Sequence, residues 1–342
     1  MAEIIPILRD KDDFDKQIKI LTNLCKEDLE SINTLILEKL DSEVPLIYEI
    51  ASHLILSGGK RLRPLLTAAC FHLTPNDLEK SLKHIGLAAA VEFIHAATLL
   101  HDDVVDESKK RRGNLTANEV WGNKTSVLVG DFLFSRAFQL MTKFGNLEVL
   151  KILSDTSVII SEGEVLELSN DNNLEINENI YFEVINGKTA SLFSAACQVG
   201  GISAGGKTSE ISALKSFGTN FGMAFQLIDD AIDYTSSKNK MGKNTGDDFK
   251  EGKITLPIIL AYGRSNVSEK KFWKQKLNEL EQNNGDFEEA LNIINKYNCI
   301  EDTITRARHF SNVAVDSLDV FKNNNYKNCL AKLAIESLNR LS

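Results

Sequence analysis

Two residue types are scarce in this sequence, and both scarcities narrow the choice of fold. Five prolines in 342 residues argue against a turn-rich β-sandwich and favour long helices. The cysteines are also five, an odd number, and they form no CxxC pair: Cys25, Cys70, Cys197, Cys299 and Cys329. Their spacing suits neither a disulfide framework nor a zinc site, so we interpret them as small buried hydrophobic residues.

The chain also lacks an excess of positive charge and a long apolar run. It has 39 Lys and Arg against 48 Asp and Glu, a net charge of −9, which is opposite in sign to that of a typical nucleic-acid binder. The most apolar stretch, 85–100, is interrupted by Glu92 and His95, so it falls short of the ~18 residues of a membrane span. The N-terminus shows no basic segment followed by an apolar one. We therefore expect a cytoplasmic protein with no nucleic-acid partner and no stable membrane insertion.

Apolar residues recur at helical spacing along almost the whole chain. This periodicity predicts long helices over 85–107, 126–144, 147–167 and 211–234, and a helix break near Pro45. No segment alternates apolar and polar residues for long enough to form a sheet, and no polar segment is long enough to separate two cores. The sequence therefore predicts an all-α fold with one domain over residues 1–342, built as a bundle of about ten helices.

One short acidic motif occurs twice, as DDVVD at 102–106 and as DDAID at 229–233. Residues four apart lie on one face of a helix, about 40° and one turn from each other. Asp102 and Asp106 should therefore project together, and so should Asp229 and Asp233. Clustered carboxylates inside apolar helices need a cation, and oxygen ligands of this kind suit Mg²⁺. A solvated acidic face is the alternative, but two copies that each follow an apolar run favour a metal site.

Two further polar residues share these helix faces. His95 precedes Asp102 by seven residues, and Gln226 precedes Asp229 by three and Asp233 by seven. For His95, the helical geometry leaves two roles equally open, that of a ligand and that of a hydrogen-bonded core residue.

Positive charge is concentrated in two segments, GGKRLRP at 58–64 and KKRRG at 109–113. Arg matches phosphate oxygens with two parallel hydrogen bonds, and Lys acts as a point charge. By itself, KKRR would be interpreted as an exposed turn or a localisation-like patch. Next to the acidic motifs, the basic segments indicate two diphosphate sites, one with Mg²⁺ and one formed by Lys and Arg alone. The chain lacks the GxxxxGK[ST] motif of a nucleotide-binding P-loop.

Taken together, the motifs resemble those of the trans-polyprenyl diphosphate synthases. They occur in the family's order: GGKRLRP, HAATLLHDDVVDESKKRRG, GKTA at 187–190, FQLIDDAIDY, and GDDFKEGKITLP at 246–257. The resemblance spans roughly residues 30–340 and looks closest to the long-chain branch, the octaprenyl and decaprenyl diphosphate synthases that make ubiquinone side chains. It implies an isoprenoid-synthase bundle with a central active-site cavity, residues 1–29 as a helical extension, and a homodimer.

The resemblance also assigns roles to individual residues. Isopentenyl diphosphate would be held by four residues: Lys60, Arg63, His95 and Arg112. Three Mg²⁺ ions per active site with substrate bound would be held by the aspartates already singled out: Asp102, Asp106, Asp229 and Asp233. Of these, Asp233 would be a supporting member that acts through water or indirect contacts, as would Asp103 and Asp230.

The second substrate, an allylic diphosphate such as farnesyl diphosphate, would be contacted by further cations: Arg111, Lys188, Lys243 and Lys253. Thr189 and Gln226 would lie beside the reacting carbons and stabilise positive charge. The catalytic group implied by the resemblance is therefore Lys188, Thr189, Gln226 and Asp103. The implied reaction is metal-assisted ionisation of the allylic diphosphate, attack by the double bond of isopentenyl diphosphate, and loss of a proton.

Product length is expected to depend on Ala97 and Thr98, five and four residues before Asp102. Short-chain members of the family place a bulky aromatic plug there, whereas small side chains would leave a tunnel open. The alternative is that both are ordinary helix-packing residues. Leu153 or a neighbour is expected to form the tunnel floor.

Other functions stay open from the sequence. These are a synthase with a C15–C20 product, a class I terpene cyclase, and the non-catalytic subunit of a heteromeric synthase. The two intact aspartate motifs argue against the last two. The C-terminal sequence AIESLNRLS is more polar than the usual long-chain ending, which leaves its role in closing the site open.

Overall fold

Apolar residues at helical spacing become helices throughout the computed structural model, which describes residues 12–75, 82–235 and 246–341. The described residues contain seventeen α-helices: α1 (Asp12–Leu24), α2 (Lys26–Lys39), α3 (Pro45–Leu56), α4 (Leu62–Leu73), α5 (Lys83–Val105), α6 (Ala117–Trp121), α7 (Asn123–Phe144), α8 (Leu147–Ser169), α9 (Glu178–Ile185), α10 (Ser191–Ser203), α11 (Thr208–Asp233), α12 (Asp247–Glu251), α13 (Leu256–Arg264), α14 (Val267–Trp273), α15 (Asp286–Lys296), α16 (Cys299–Ser317) and α17 (Asn325–Glu336). Shorter elements are the π-helical turns Asn186–Ala190 and Lys274–Asn278, the 3₁₀ turns Leu318–Val320 and Ser337–Leu341, and the strands β1 (Lys110–Arg111) and β2 (Asn114–Leu115).

The all-α prediction is confirmed, and the four long helices lie where the periodicity placed them, as α5, α7, α8 and α11. The helix count of about ten is wrong. Short helices of five to nine residues, such as α6, α9 and α13, occur where the sequence shows little more than one or two turns of periodicity. Periodicity needs a window of about 11 residues to be distinctive. The one-domain organisation stays a prediction.

Helix α5 passes through the core and is surrounded by other helices. It packs against α2, α4, α7 and α10, and 78% of its most apolar window is buried. Of the helices within the described ranges, it is the one with the length and composition of a membrane span. Its burial on nearly every side explains that composition, because a helix inside a protein core is apolar all round.

The core consists of three clusters of buried side chains, and the cysteines belong to two of them. Four of the cysteines lie in the cluster formed mainly by α1, α4, α11, α16 and α17, and Cys299 lies in the cluster around α13 and α15. All five are free and buried, which confirms their interpretation as small hydrophobic residues.

The GKTA segment lies in the π-helical turn Asn186–Ala190, where it crosses α8 at very short range. A Cβ atom added to Gly187 would lie 2.8 Å from the Cα of Gly163 and 2.9 Å from the carbonyl oxygen of Ile159. Both of these are backbone atoms, so a side chain at Gly187 would push the two elements apart. The glycine pair thereby places Lys188 directly against α8.

We therefore expect Gly187→Ala to lower the free energy of unfolding by about 1–3 kcal/mol, the usual cost of an overpacked contact. Urea denaturation of the purified variant measures this. Gly263→Ala is the matched control, because a Cβ at this helical glycine meets no atom within 4 Å. The control should be neutral or gain about 0.5–1 kcal/mol, since alanine is the better helix former. Equal effects of both substitutions would contradict the close crossing.

Candidate active site

The first aspartate motif lies at the C-terminal end of α5, where the helix leaves the core. Asp102 and Asp106 are half-buried, whereas Asp103 is only 1% exposed. Burial, together with the charges of Glu164 and Asp106, raises the pKa of Asp102 to about 7, against the opposing charge of Lys188. This surplus of negative charge is what a divalent cation would neutralise.

After the motif the chain turns back through a short hairpin, which is formed by the KKRRG segment and the residues that follow it. Strand β1 pairs with β2, and the two residues between them, Arg112 and Gly113, have φ values of 53° and 84°, as in a type I′ turn. The hairpin returns Arg111 to the motif, where its Nε donates hydrogen bonds to both oxygens of Asp103, at 2.9 and 3.1 Å. Asp103 therefore holds Arg111 in position, and both of its oxygens are used in doing so.

A second, positively charged group lies beside α5 two turns earlier, where Arg63 of α4 meets His95 of α5. The guanidinium of Arg63 stacks on Phe193 at 4.3 Å from the ring centre and donates to Nε2 of His95 at 3.2 Å. Burial, followed by the charges of Arg63 and Arg112, lowers the pKa of His95 well below its usual value, so the ring is neutral and Nε2 accepts. Burial also lowers the pKa of Arg63 to about 10, and its buried Nε has no hydrogen-bond partner among the described residues. These features fit a site that would bind an anion.

The SGGK loop joins this arginine group to the hairpin. Gly58 and Gly59 have φ values of 96° and 129°, and the guanidinium of Arg112 donates to the carbonyl oxygen of Gly58. A Cβ at Gly59 would meet only that flexible guanidinium, at 2.8 Å, so the φ of 129° is what favours glycine at this position. Lys60 is directed toward α1, where its Nζ lies 2.5 Å from Asp15.

Sequence reasoning missed Arg61 and Glu92, which fix the same loop. Arg61 has a φ of 48°, donates to the carbonyl oxygen of Ile55 at 2.7 Å, and pairs with the buried Glu92. The available signal was Glu92 itself, since a carboxylate within an apolar helix needs a cationic partner.

The second motif, on α11, has the same internal arrangement as the first. Its middle aspartate, Asp230, is 5% exposed and accepts hydrogen bonds from Tyr181 Oη at 2.5 Å and Gln226 Nε2 at 2.7 Å. The oxygen of Gln226 in turn accepts from Thr189 at 2.8 Å. Asp230 therefore orients Gln226 and Thr189, as Asp103 orients Arg111. Tyr181 was not predicted from the sequence.

The last aspartate of the second motif contacts backbone. Asp233 accepts from the N–H groups of Asp247 and Asp248, at 3.3 and 3.0 Å, and thereby caps the start of α12. Lys243, which the sequence analysis assigned to the allylic diphosphate, lies outside the described residues.

Lys188 connects the GKTA turn to two glutamates of α8 that the sequence analysis did not include. Its Nζ lies 3.0 Å from Glu164 and 2.6 Å from Glu167. Burial alone would lower the pKa of Lys188, but these carboxylates and Asp102 raise it above its usual value. The three-residue spacing of Glu164 and Glu167 on one helix face was the signal that could have found them.

Lys253 lies on the other side of the first motif. Its Nζ is 3.4 Å from Asp106 and 2.9 Å from Glu251. As with Lys188, burial opposes the positive charge, and the carboxylates, led by Asp106, raise the pKa. Lys188 and Lys253 are therefore both charged and both border the acidic end of α5.

The C-terminal segment reaches the second motif. Arg340, in the 3₁₀ turn Ser337–Leu341, pairs with Oδ1 of Asp229, and its guanidinium lies 4.0 Å from the ring centre of Phe225. The polar ending whose role the sequence left open thus contacts one of the predicted metal ligands.

The residues assigned to product length lie along and beside α5. Ala97 is fully buried and belongs to the same apolar cluster as Leu153. Thr98 is half-buried, and its hydroxyl donates to the carbonyl oxygen of His95 at 2.9 Å. These contacts are compatible with both tunnel lining and ordinary packing.

We compared the chain with protein families and with known proteins, and the matches agree on one family. The profile described as polyprenyl synthetase matches residues 44–294. The octaprenyl diphosphate synthase of Escherichia coli (strain K12) is 42% identical over 316 residues, which cover 92% of this chain and 96% of that relative.

Solved structures agree with the sequence comparison. A decaprenyl diphosphate synthase from Rhodobacter capsulatus superposes with a TM-score of 0.91 at 45% identity, covering 95% of this chain and 99% of the other. A polyprenyl synthase from Caulobacter crescentus CB15, complexed with calcium and isoprenyl diphosphate, gives a TM-score of 0.90 at 43% identity, with coverages of 95% and 98%. The resemblance drawn from the motifs is thereby confirmed.

The contact between Arg340 and Asp229 yields a prediction about metal affinity. In Arg340→Gln, Asp229 no longer has a cation competing with Mg²⁺. A part-exposed ion pair of this kind is worth about 1 kcal/mol, so we expect the Mg²⁺ concentration for half-maximal thermal stabilisation to fall about fivefold. Differential scanning fluorimetry across a Mg²⁺ titration measures it.

Arg308→Gln is the control for this titration. Arg308 is also an arginine near a carboxylate, 3.9 Å from Glu301, but both side chains are largely exposed on α16. It should leave the Mg²⁺ requirement unchanged. If the Mg²⁺ concentration for half-maximal stabilisation is unchanged or higher in Arg340→Gln, Arg340 does not compete with the metal.

Proposed function

The chain belongs to the polyprenyl synthetase family and is a prenyltransferase, and we propose that it is a long-chain trans-polyprenyl diphosphate synthase. In this proposal it extends an allylic diphosphate by successive five-carbon units from isopentenyl diphosphate. The observation that carries the proposal is the charge arrangement on α5. His95, which contacts Arg63 of α4, and Asp102, the first carboxylate of the acidic group, lie seven residues apart on this helix, a rise of about 10 Å. Two diphosphates, one bound with metal and one without, require such a pair of sites.

The arginine group is proposed as the isopentenyl diphosphate site. Arg63 has an unpartnered buried nitrogen, and the pKa values of His95 and Arg63 are both lowered by burial. A diphosphate would restore the missing negative charge and accept these hydrogen bonds. Two more cations would complete the site. Arg112 is held over the SGGK loop, and Lys60 would reach the site after a rotation away from Asp15.

The carboxylate group is proposed to hold Mg²⁺, three ions when substrate is bound. Asp102, Asp106 and Asp229 fit this role because they are half-buried, and because the side chains seen to pair with Asp106 and Asp229 are the cations Lys253 and Arg340. The other three aspartates already have hydrogen-bond partners. Asp103 is bound by Arg111, Asp230 by Tyr181 and Gln226, and Asp233 by backbone N–H groups. We therefore assign them supporting roles. When bound, Mg²⁺ supplies a Lewis acid that neutralises the departing diphosphate.

The remaining residues are proposed to manage charge around the reacting carbons. Lys188, Arg111 and Lys253 surround the acidic end of α5 and would bind the allylic diphosphate oxygens. The C–O bond of that substrate breaks, and an allylic cation remains. The oxygens of Thr189 and Gln226, aligned by Asp230, would stabilise it. The double bond of isopentenyl diphosphate then forms the new C–C bond, and a proton passes to the released diphosphate.

The long-chain assignment fits the octaprenyl and decaprenyl synthases to which the chain is similar. In this proposal, Ala97 and Thr98 border the path of the growing chain, and the small volume of their side chains leaves it open. Farnesyl diphosphate is the expected primer, and a ubiquinone side chain the expected use of the product. We further propose a cytoplasmic homodimer in which each chain forms one domain.

The first test is the product of the purified enzyme. With Mg²⁺, farnesyl diphosphate and labelled isopentenyl diphosphate, we expect a ladder ending at about eight to ten isoprene units. Reversed-phase chromatography of the dephosphorylated products measures the product length.

Asp102→Asn should lower the rate of isopentenyl diphosphate incorporation about 100-fold or more, as expected when a group that acts on developing charge is removed.

Other results would replace this proposal. A ladder that ends at C15 or C20 would keep the chemistry and exclude the long-chain assignment. A folded protein that incorporates no label by itself would indicate the non-catalytic subunit of a heteromeric synthase.

A second prediction concerns the tunnel. Thr98→Phe should shorten the main product to C15–C20, because an aromatic ring near Asp102 would obstruct the chain. Thr98→Val, which keeps the volume and loses only the hydroxyl, is the control and should keep the long product. If the phenylalanine variant is folded and still makes the long product, Thr98 does not border the chain.

A further inference from the structure

A second cluster of potential ligands lies far from the aspartate motifs, near the opposite end of α5. It consists of Asp28 on α2, His72 on α4 and His84 on α5, whose ligand atoms all lie within 4.8 Å of one another. His84 and Asp102 are 18 residues apart on the same helix, a rise of about 27 Å. The cluster is therefore separate from the diphosphate sites.

Both histidines present Nε2 to the same carboxylate. His72 Nε2 donates to one oxygen of Asp28 at 2.6 Å, and His84 Nε2 donates to the other at 3.0 Å. Burial alone would raise the pKa of Asp28, but the two histidines lower it below its usual value. The carboxylate is therefore ionised, which is the state in which it binds a metal.

Packing fixes the direction of both imidazole rings. His84 stacks on Phe71, with ring centres 3.8 Å apart and an interplanar angle of 9°. His72 stacks on Tyr326 of α17 at 5.1 Å and 15°. Rings held in this way lose little conformational freedom when they bind a ligand, and such preorganisation raises affinity.

The donor set and its access suit zinc. Two imidazole nitrogens and one carboxylate oxygen are ligands that Zn²⁺ accepts, with a water in the fourth position. In a tetrahedral site with bonds of about 2.1 Å, neighbouring ligand atoms lie about 3.4 Å apart. The separations of 2.6 and 3.0 Å between the histidines and the two oxygens of Asp28 would have to increase by less than about 1 Å. The widest separation among the ligand atoms, at most 4.8 Å, would have to decrease by at most about 1.4 Å. The His72 side chain is 32% exposed, so an ion can enter from solvent.

We propose that Asp28, His72 and His84 form a Zn²⁺ site that cross-links α2, α4 and α5. Zinc takes the place of the proton on each Nε2; that proton is released to solvent from a protonated ring, or is carried on Nδ1 in a neutral ring, and water fills the remaining position. Because the ligands come from three helices, the metal stabilises the packing of these helices. It takes no part in prenyl transfer.

The test uses tag-free, chelator-treated protein in buffer with excess Mg²⁺, which occupies the carboxylate groups of the aspartate motifs. After incubation with ZnCl₂ and gel filtration, metal analysis should give close to one zinc per chain. At a zinc concentration about 100 times the Kd, the Tm should rise by about 5 °C. Co²⁺ in place of zinc should give the visible absorption of a tetrahedral site.

His72→Gln and His84→Gln are the informative variants, because a glutamine amide can still donate to Asp28 but is a poor zinc ligand. Each should weaken zinc binding by about 100-fold or more and remove the rise in Tm. His309→Gln, at an exposed histidine on α16, should behave as the wild type. If His84→Gln does not fold, the half-exposed His72 position decides the question.

Two results would overturn the proposal. If the wild type retains no zinc, the cluster is an aspartate–histidine hydrogen-bonded triad alone. If His72→Gln binds zinc as the wild type does, the metal lies elsewhere on the protein.

Discussion

The structure depends on one constraint, which is that an apolar helix in the centre of the core also carries ionisable groups. Helix α5 is buried along most of its length, yet it contains Glu92, His95, Asp102 and Asp103 and ends at Asp106, its C-cap. Each buried charge needs a partner, because desolvation is costly. The chain meets this need by bringing distant cations to the helix, such as Arg61 to Glu92 and Arg111 to Asp103. The SGGK loop and the KKRRG hairpin have their particular backbone shapes because they deliver these arginines.

The same constraint explains why the two aspartate motifs are alike. In each, the second aspartate points into the protein and is nearly fully buried. Asp103 binds Arg111, and Asp230 binds Tyr181 and Gln226. Adjacent residues on a helix are separated by about 100°, so the second aspartate of each motif projects in a different direction from the first and can point into the core. One carboxylate of each motif thus orients neighbouring side chains. Asp233 caps α12, and Asp102, Asp106 and Asp229 are the half-buried carboxylates that remain.

The sequence predicted those parts of the site that depend on local periodicity, and missed those that depend on tertiary contacts. The i, i+4 spacing was enough to place Asp102 beside Asp106, and hydrophobic periodicity was enough for the long helices. The contacts of Lys188 with Glu167 and of Arg340 with Asp229 join residues 21 and 111 positions apart. No local pattern encodes such a distance. The GKTA motif was recognised, but the close glycine crossing that positions its lysine depends on α8, which only the folded chain brings there.

The distribution of counter-charges also suggests how the carboxylates are kept available. Asp106 is paired with Lys253 and Asp229 with Arg340, and these four side chains are 17–30% exposed. Ion pairs open to water contribute only about 0–1 kcal/mol each, so a divalent ion or a diphosphate can displace them. By contrast, Asp103 and Asp230 are almost fully buried, where breaking a pair costs about 3–5 kcal/mol. The chain therefore divides its aspartates by burial into exchangeable groups and permanent ones. In the proposed function, this division would leave the exchangeable carboxylates free to bind metal while the permanent ones keep the surrounding side chains in place.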